Sequence, residues 1–378
     1  MTVTDGANTA AGVPGGRVAI VHDQLLRMGG AERVVVAMHR IWPRAPIYSS
    51  LVDREGLAPD LATADLRETR LGAIPGARTR HQWLLPFYDT AFRALDLSDR
   101  DLVISSAAMF AKSVQAPEGA VHICYCHTPV RYLWETRDSH IAALPQPWPV
   151  RWAVRAMTPE LRRRDRRAMD GVDVVLANSR YIASLIKRHY GRTATVVHPP
   201  VDVEAFAGAP GAGDHLLVLG RLLPYKRIDL AIAAANRRRE PLLVVGDGPD
   251  RGRLEALAGP TVRFCGWVTE QRKRELVRHA RALLVPGIED FGIATVEALA
   301  AGTPVIALDK GGSAEIVIDG RTGVLFSEQS AAGLVAALEG FDPGSFDPDV
   351  LRESARRFDE PSFRQRLLSV VAAACAGP

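Results

Sequence analysis

The stretch 286–304, PGIEDFGIATVEALAAGTP, decides how the rest of the chain is read. Pro286 and Gly287 end the apolar run 282–285, and the next residues read as a loop. A helix then starts at Gly292 and runs through apolar, helix-favouring residues until Gly302 and Pro304 stop it. Two carboxylates frame the turn, Glu289 in the loop and Glu297 inside the helix. A helix N-terminus presents unpaired N–H groups and the positive end of the macrodipole, so it suits phosphate. Gly292 has no side chain to obstruct approach. At ~1.5 Å per residue Glu297 lies about a turn and a half inside the helix. This layout can hold a nucleotide diphosphate with one carboxylate towards each side. The same residues also describe an ordinary strand–loop–helix unit with two solvated glutamates, so the surroundings must decide.

Working outward, 378 residues suffice for two domains with separate cores. A hydrophobic content of 47% and a mean hydropathy near zero describe a soluble globular protein, and the net charge is only +4, though unevenly spread. Residues 1–16, MTVTDGANTAAGVPGG, are small and polar and read as disordered, without the charged start and apolar core of a secretory signal. No apolar run approaches the length of a membrane-spanning helix. Cys124, Cys126, Cys265 and Cys375 form neither a CxxC pair nor a disulfide framework, which fits reduced thiols in a cytoplasmic protein.

Strand-like and helix-like segments alternate along the chain. Residues 17–22 (RVAIVH) read as a buried parallel strand, followed by the turn Gly29-Gly30-Ala31-Glu32 and a helix to about Ile41. Strands are expected at 45–50, 102–105, 121–126 and 172–177, with an arginine-rich helix over 151–170 and another helix over 181–189 capped by Asn178-Ser179. The segment 53–97 is mixed, with an aromatic-rich part at 81–92. From Val196 through the Gly- and Ala-rich residues to Gly213 the character changes, and the interdomain linker is placed there. Strands then recur at 216–219, 242–245, 261–265, 282–285, 305–308 and 323–326, with a helix from about Ile228. This alternation predicts two parallel sheets covered by helices, with ligands at the carboxyl ends of the strands and a cleft between the domains.

Candidate chemistry falls in those strand-end loops. In Gly220-Arg221-Leu222-Leu223-Pro224-Tyr225-Lys226, two cations stand five apart and can reach one anion, Arg as a planar fork and Lys as a point charge; two plain surface cations are the alternative. Gly246-Asp247-Gly248-Pro249 ends a strand, but a bare GxG is a weak signal and the chain has no GxGxxG dinucleotide fingerprint. His127 closes the strand HICYCH, where it can hydrogen-bond a sugar or phosphate or serve only the packing. The Asp-x-Asp at Asp347-Pro348-Asp349 lies in a Pro-rich turn away from these loops, so no metal site is expected and the cations take over neutralisation of a diphosphate.

The ordered set GGAE, HTPVRYLWE, NSRYIASLIKRHYG, VVHPPVD, GRLLPYKRIDL, GDGP and EDFGIATVEALAAGTPVIA closely resembles the family 4 retaining glycosyltransferases of GT-B fold. The resemblance extends from Arg17 to about Phe326, and the closing RRFDEPSFRQRL is similar to the family's last helix, which returns to the first domain. It implies an acceptor domain over 17–200, completed by a C-terminal helix at 359–378, and a donor domain over 201–358. It also implies that Arg221 and Lys226 bind the donor diphosphate, that Glu297 grips the ribose and that Glu289 lies by the donor sugar. Amides around Phe291, Gly292 and Ile293 meet sugar or phosphate oxygens, His127 approaches the sugar, and Gly29 and Gly30 close over phosphate and acceptor. Asp247, Gly248, Trp267 and Val268 fall where the base is accommodated. The HTPVRYLWE and VVHPPVD blocks most resemble members that use GDP-mannose.

The implied reaction is metal-independent hexosyl transfer with retention, without a cofactor, from a nucleotide-sugar donor to a saccharide or lipid-linked acceptor. A UDP-sugar donor is the nearest alternative. A nicotinamide-dependent oxidoreductase would need a dinucleotide fingerprint that this chain does not have, and a nucleic-acid binder would leave Glu289, Glu297 and the Arg221–Lys226 loop without a purpose. Trp148, Arg151, Trp152 and Arg155, followed by Arg162, Arg163, Arg164, Arg166 and Arg167, suit either an anionic membrane surface at the inner face of the cell membrane or a solvated helix face. The aromatic run from Trp83 to Phe92 belongs to the same expectation.

Overall fold

The computed structural model describes residues 16–135, 137, 141, 147–208, 211 and 213–376. The expected disordered start lies outside these, apart from Gly16. The chain divides into two compact units. The first comprises Met1–Asn178, Ile182–His198 and Phe363–Pro378; the second comprises Ser179–Tyr181 and Pro199–Ser362.

In the first unit, short β-branched runs bounded by Asp, Gly and Pro form β1 (Val18–His22), β2 (Ile47–Ser49), β3 (Leu66–Glu68), β4 (Leu102–Ala107), β5 (Val121–Cys126), β6 (Val174–Ala177) and β7 (Thr195–Val196). They pair in parallel in the order β3-β2-β1-β4-β5-β6-β7, with Ile20 opposite Ile47 on one side and Ile104 on the other. β1 is buried at every position and reads as a near-continuous apolar run, whereas the edge strands β3 and β7 are partly exposed. Helix Gly30–Ile41 buries Val34, Val35 and Met38 in the core that Ile20, Ile47 and Ile104 line. Helix Glu360–Cys375 adds Phe363, Leu367 and Val371 to that core, and the Phe363 ring lies 6.2 Å from Tyr125. Each such side chain contributes roughly 1.5–3 kcal/mol relative to exposure.

The second unit repeats the pattern with β8 (His215–Leu219), β9 (Leu242–Val245), β10 (Val262–Gly266), β11 (Ala280–Val285), β12 (Val305–Leu308) and β13 (Gly323–Phe326), in the order β10-β9-β8-β11-β12-β13. Helices Ile228–Arg238 and Ile293–Ala300 press Ile232, Ala235, Val296 and Leu299 into one core with Leu217, Val244, Leu283 and Ile306. In both sheets the winding reverses beside the first strand, between β1 and β4 and between β8 and β11. Loops at such a switch point diverge and leave a crevice at the carboxyl ends of the strands.

Three segments differ from the sequence-based expectation. Residues 66–68 form a strand and Leu85–Arg93 a helix inside the segment read as mixed, because Leu71, Tyr88 and Phe92 find buried partners that local pattern does not reveal. Val196 is not linker but part of edge strand β7, and Val201, Val203 and Phe206 are buried in the second core. Asp347-Pro348-Asp349 is not a turn: Asp347 caps helix Pro348–Arg356 by accepting from the Asp349 amide at 2.9 Å.

Candidate functional site

At the switch point of the second unit, the loop after β8 and the loop after β11 are joined by an ion pair. Lys226 Nζ lies 2.7 Å from Glu289 Oε1, each side chain 19% exposed. Burial pulls the Lys226 ammonium down, but Glu289 beside it, together with Tyr225 and Asp290, turns the net shift upward, so the lysine stays charged. Arg221, five residues earlier, is exposed. The two cations expected to share one anion therefore differ: one is held by a carboxylate and the other reaches into solvent.

The turn into helix Ile293–Ala300 requires its glycine. Gly292 has φ 105°, a left-handed conformation, and a Cβ there would collide with the Ser313 hydroxyl. Thus Gly292 is demanded by the backbone and by Ser313 as well as by any ligand. Phe291 is buried in the core behind it. The first helical bonds run from the Thr295 and Val296 amides to Gly292 O at 3.0 and 3.3 Å, so the Ile293 and Ala294 amides lie ahead of them. Glu297 is 3% exposed, and its Oε1 accepts from Lys273 Nζ at 2.9 Å. Lys273 also pairs with Glu270 at 2.8 Å and lies 5.3 Å from the Phe206 ring centroid. Asp247 accepts from the Gly248 amide at 2.7 Å, and its carbonyl accepts from the Leu222 amide at 2.9 Å, which ties this loop to the Arg221–Lys226 loop. Trp267 is 68% exposed nearby in sequence, after β10.

At the switch point of the first unit, the Asp23 carboxylate follows β1 and accepts from four successive amides after β4, at Ala108, Met109, Phe110 and Ala111, at 2.6–2.8 Å. Gly29 precedes helix Gly30–Ile41, whose Glu32 lies 3.6 Å from His22 Nε2. His127 directly follows β5, is 8% exposed and shares a 2.8 Å hydrogen bond between its Nε2 and Ser106 Oγ. Burial, reinforced by the nearby His22, pushes the His127 ring down to about 3, so it is neutral at physiological pH. The structure thus gathers His127 with Gly29 and Gly30 in one unit and gathers Arg221, Lys226, Asp247, Gly248, Glu289, Phe291, Gly292, Ile293 and Glu297 in the other.

Sequence reasoning missed His22, Asp23, Ser106 and Lys273. The His-Asp pair at the carboxyl end of the first strand, ahead of GGAE, was the available signal. The arginine-rich helix expected over 151–170 runs Trp148–Asp170. Arg162 and Arg166 each place their guanidinium 4.9 Å from the Trp134 ring centroid, and they donate to the Leu133 and His189 carbonyls. Asp165 in the same helix is fully buried against Lys112 at 2.7 Å. That half of the helix is a clamp on its own unit. Trp148 and Trp152, at 73% and 68% exposed, face solvent, as do Arg163 and Arg167 further along. Among the described residues no helix is long and apolar enough to cross a membrane, and no three His, Cys, Asp or Glu side chains are grouped to hold a metal.

The two units correspond to two family matches. Residues 28–205 match Glycosyltransferase Family 4, and residues 213–341 match Glycosyl transferases group 1. D-inositol 3-phosphate glycosyltransferase 2 of Catenulispora acidiphila is 32% identical over 46% of this chain and 48% of its own length. A GDP-mannose-dependent alpha-(1-6)-phosphatidylinositol monomannoside mannosyltransferase of Mycolicibacterium smegmatis is 32% identical over 48% of this chain and 56% of its own length. The chain thus spans about half the length of these curated relatives. Among solved structures, Anabaena HepE in complex with UDP and glucose superposes with a TM-score of 0.69 at 15% identity, covering 94% of this chain and 100% of that one. With both sheets accounted for in order, the chain belongs to the family 4 glycosyltransferases of GT-B fold and resembles their GDP-mannose-dependent mannosyltransferases.

Proposed function

We propose that this protein is a retaining, metal-independent glycosyltransferase that moves mannose from GDP-mannose to a glycolipid, lipid-linked saccharide or polysaccharide acceptor. The observation that carries this reading is the switch point of the second unit, where Arg221 and the Lys226–Glu289 pair stand on adjoining loops and the second loop leads into the helix start at Gly292 and the buried Glu297. Arg221, Lys226 and the Ile293 amide stabilise negative charge that grows on the departing diphosphate, which lowers the barrier directly. Glu297 accepts from the ribose hydroxyls, and Glu289 orients Lys226. Attack comes from the face the diphosphate leaves: the acceptor oxygen bonds to the anomeric carbon as the sugar–phosphate bond breaks, and the acceptor proton passes to a phosphate oxygen. No carboxylate nucleophile is required.

The mannosyltransferase among the relatives supports the donor, and the inositol-phosphate and phosphatidylinositol enzymes support a polar, lipid-linked or phosphorylated acceptor class. The exposed Trp148 and Trp152 would hold the first unit against an anionic membrane surface that carries such acceptors. HepE, solved with UDP and glucose, keeps a UDP-sugar donor as the second reading.

A thermal-shift and turnover panel tests these assignments with GDP-mannose, UDP-glucose, UDP-N-acetylglucosamine, UDP-galactose, GDP and UDP, each with and without EDTA. Stabilisation and turnover with GDP compounds alone, unchanged by EDTA, is the expected result. A response to UDP compounds alone rejects mannose, loss of activity in EDTA rejects metal independence, and no response to any nucleotide rejects the transferase reading.

A further inference from the structure

The polar side chains at the switch point of the first unit form a continuous line. Glu32 Oε1 lies 3.6 Å from His22 Nε2. His22 Nδ1 lies 3.0 Å from both the carbonyl oxygen and Oγ of Ser106, and Ser106 Oγ lies 2.8 Å from His127 Nε2. His22 and Ser106 are 2% and 0% exposed, so bulk water does not substitute for any of these contacts.

The chemistry of the partners assigns the protons. A carbonyl oxygen only accepts, so His22 Nδ1 must carry a proton and donate it to the Ser106 carbonyl, with Oγ as a second acceptor. The Ser106 hydroxyl then has its own proton to place. Leaving it unused in a buried site carries the desolvation penalty of an unpaired donor, and the remaining acceptor within reach is His127 Nε2. His127 Nε2 is therefore unprotonated, and because the ring is neutral its proton sits on Nδ1. Nδ1 has no hydrogen-bond partner among the described residues, so its N–H is available to a ligand.

We propose that Glu32, His22 and Ser106 act as a positioning relay that holds His127 in the Nδ1–H tautomer and presents that N–H as a donor to a sugar hydroxyl. The charged groups facing the relay are Glu32 from helix Gly30–Ile41 and Asp23 after β1. The Asp23 carboxylate is engaged by the four amides at 108–111. Burial lowers the affinity of His22 for a proton, but Glu32 and Asp23 raise it further, and the net direction is upward. The Tyr125 ring, 5.0 Å from that of His127, closes the other side. The relay is a property of the folded chain; only its catalytic consequence rests on the transferase reading.

The test is nitrogen NMR of the full chain labelled with 15N-histidine, which holds ten histidines, with the His127 ring signals identified by their loss in His127→Gln. The expected wild-type result is a protonated Nδ1 and an unprotonated Nε2 at pH 7. Ser106→Ala is expected to give mixed or Nε2–H signals, and Ser106→Thr, which keeps the hydroxyl, to restore the wild-type pattern. An Nε2–H wild-type ring overturns the relay without recourse to any variant, as does a ring that Ser106→Ala leaves unchanged. In turnover, Ser106→Ala is expected to lower kcat about tenfold, the scale of one misdirected hydrogen bond, with recovery in Ser106→Thr. Failure of every nucleotide sugar to react removes the transferase reading, while the NMR outcome still decides the relay.

Discussion

Glu297 and Lys273 form a buried ion pair at 2.9 Å between helices Ile293–Ala300 and Glu270–Arg278. The lysine holds one carboxylate oxygen and so fixes where the other one points. Removing one partner of such a pair leaves an uncompensated buried charge and typically costs about 3–5 kcal/mol. Lys273→Met is therefore expected to lower stability and raise the donor KM, whereas Lys273→Met with Glu297→Leu is expected to regain stability without regaining donor affinity. Urea titration and nucleotide-sugar KM read the two effects separately. Unchanged KM in Lys273→Met would remove the lysine from the donor site.

Lys226 carries the transition-state charge in the proposed mechanism, and Glu289 holds it in place at 2.7 Å. Lys226→Ala is expected to reduce kcat by about 10²–10³, the scale of losing one preorganised electrostatic donor. Circular dichroism should show an intact fold. Wild-type turnover in this variant would remove Lys226 from the reaction.

Gly292→Ala places a side chain where φ is 105° and where Ser313 occupies the Cβ direction. A strained left-handed residue costs on the order of 1–3 kcal/mol. The variant should unfold at lower urea and bind nucleotide more weakly, because the helix start shifts. Relief of the defect by Ser313→Gly would locate the clash; no relief would leave the backbone conformation as the cause.

Two buried histidines make stability depend on pH. Burial pushes His122 down to about 4 and His127 to about 3, against opposing hydrogen bonding and charge at His122. Their folded pKa values lie below an unfolded value of about 6.5, so the unfolded chain binds more protons in that window. Stability is complete above the unfolded pKa and falls as pH drops towards 4, by up to ~1.4 kcal/mol per pH unit for each ring. His22 has the opposite sign: its raised pKa contributes fully below about 6.5 and is lost as pH rises through the folded value. Urea midpoints at pH 7, 6 and 5 should decline, and His122→Asn should flatten the slope. An equal slope in that variant would assign the dependence elsewhere.

Trp148 and Trp152 stand four apart on one helical face and are the most exposed tryptophans there. Trp148→Ser with Trp152→Ser is expected to cut co-sedimentation with phosphatidylglycerol vesicles at least about fivefold while sparing the fold. Equal binding by the double variant, or no binding by the wild type, would discard this membrane contact.

Much of the second unit was legible because its signals are local. Pro286, Gly287 and Gly292 punctuate a strand, a loop and a helix by backbone chemistry alone, and the apolar runs 242–245, 305–308 and 323–326 are strands in the structure. The aromatic-rich part at 81–92 was opaque because Tyr88 and Phe92 are inside while Trp83 and Phe87 are outside, a division set by the elements they pack on.

By itself the sequence determined the strand–helix alternation, the residues at the strand ends and the family resemblance, all of which depend on short-range periodicity and turn chemistry. Only the tertiary structure decided which charges meet. Lys226 with Glu289, Lys273 with Glu297 and Lys112 with Asp165 are separated by 63, 24 and 53 residues. Parallel winding brings segments distant in sequence together, and burial there sets each charge beside an opposite charge that the fold supplies. The same winding placed Ser106 between His22 and His127, a juxtaposition that three separate strands create and no local pattern records.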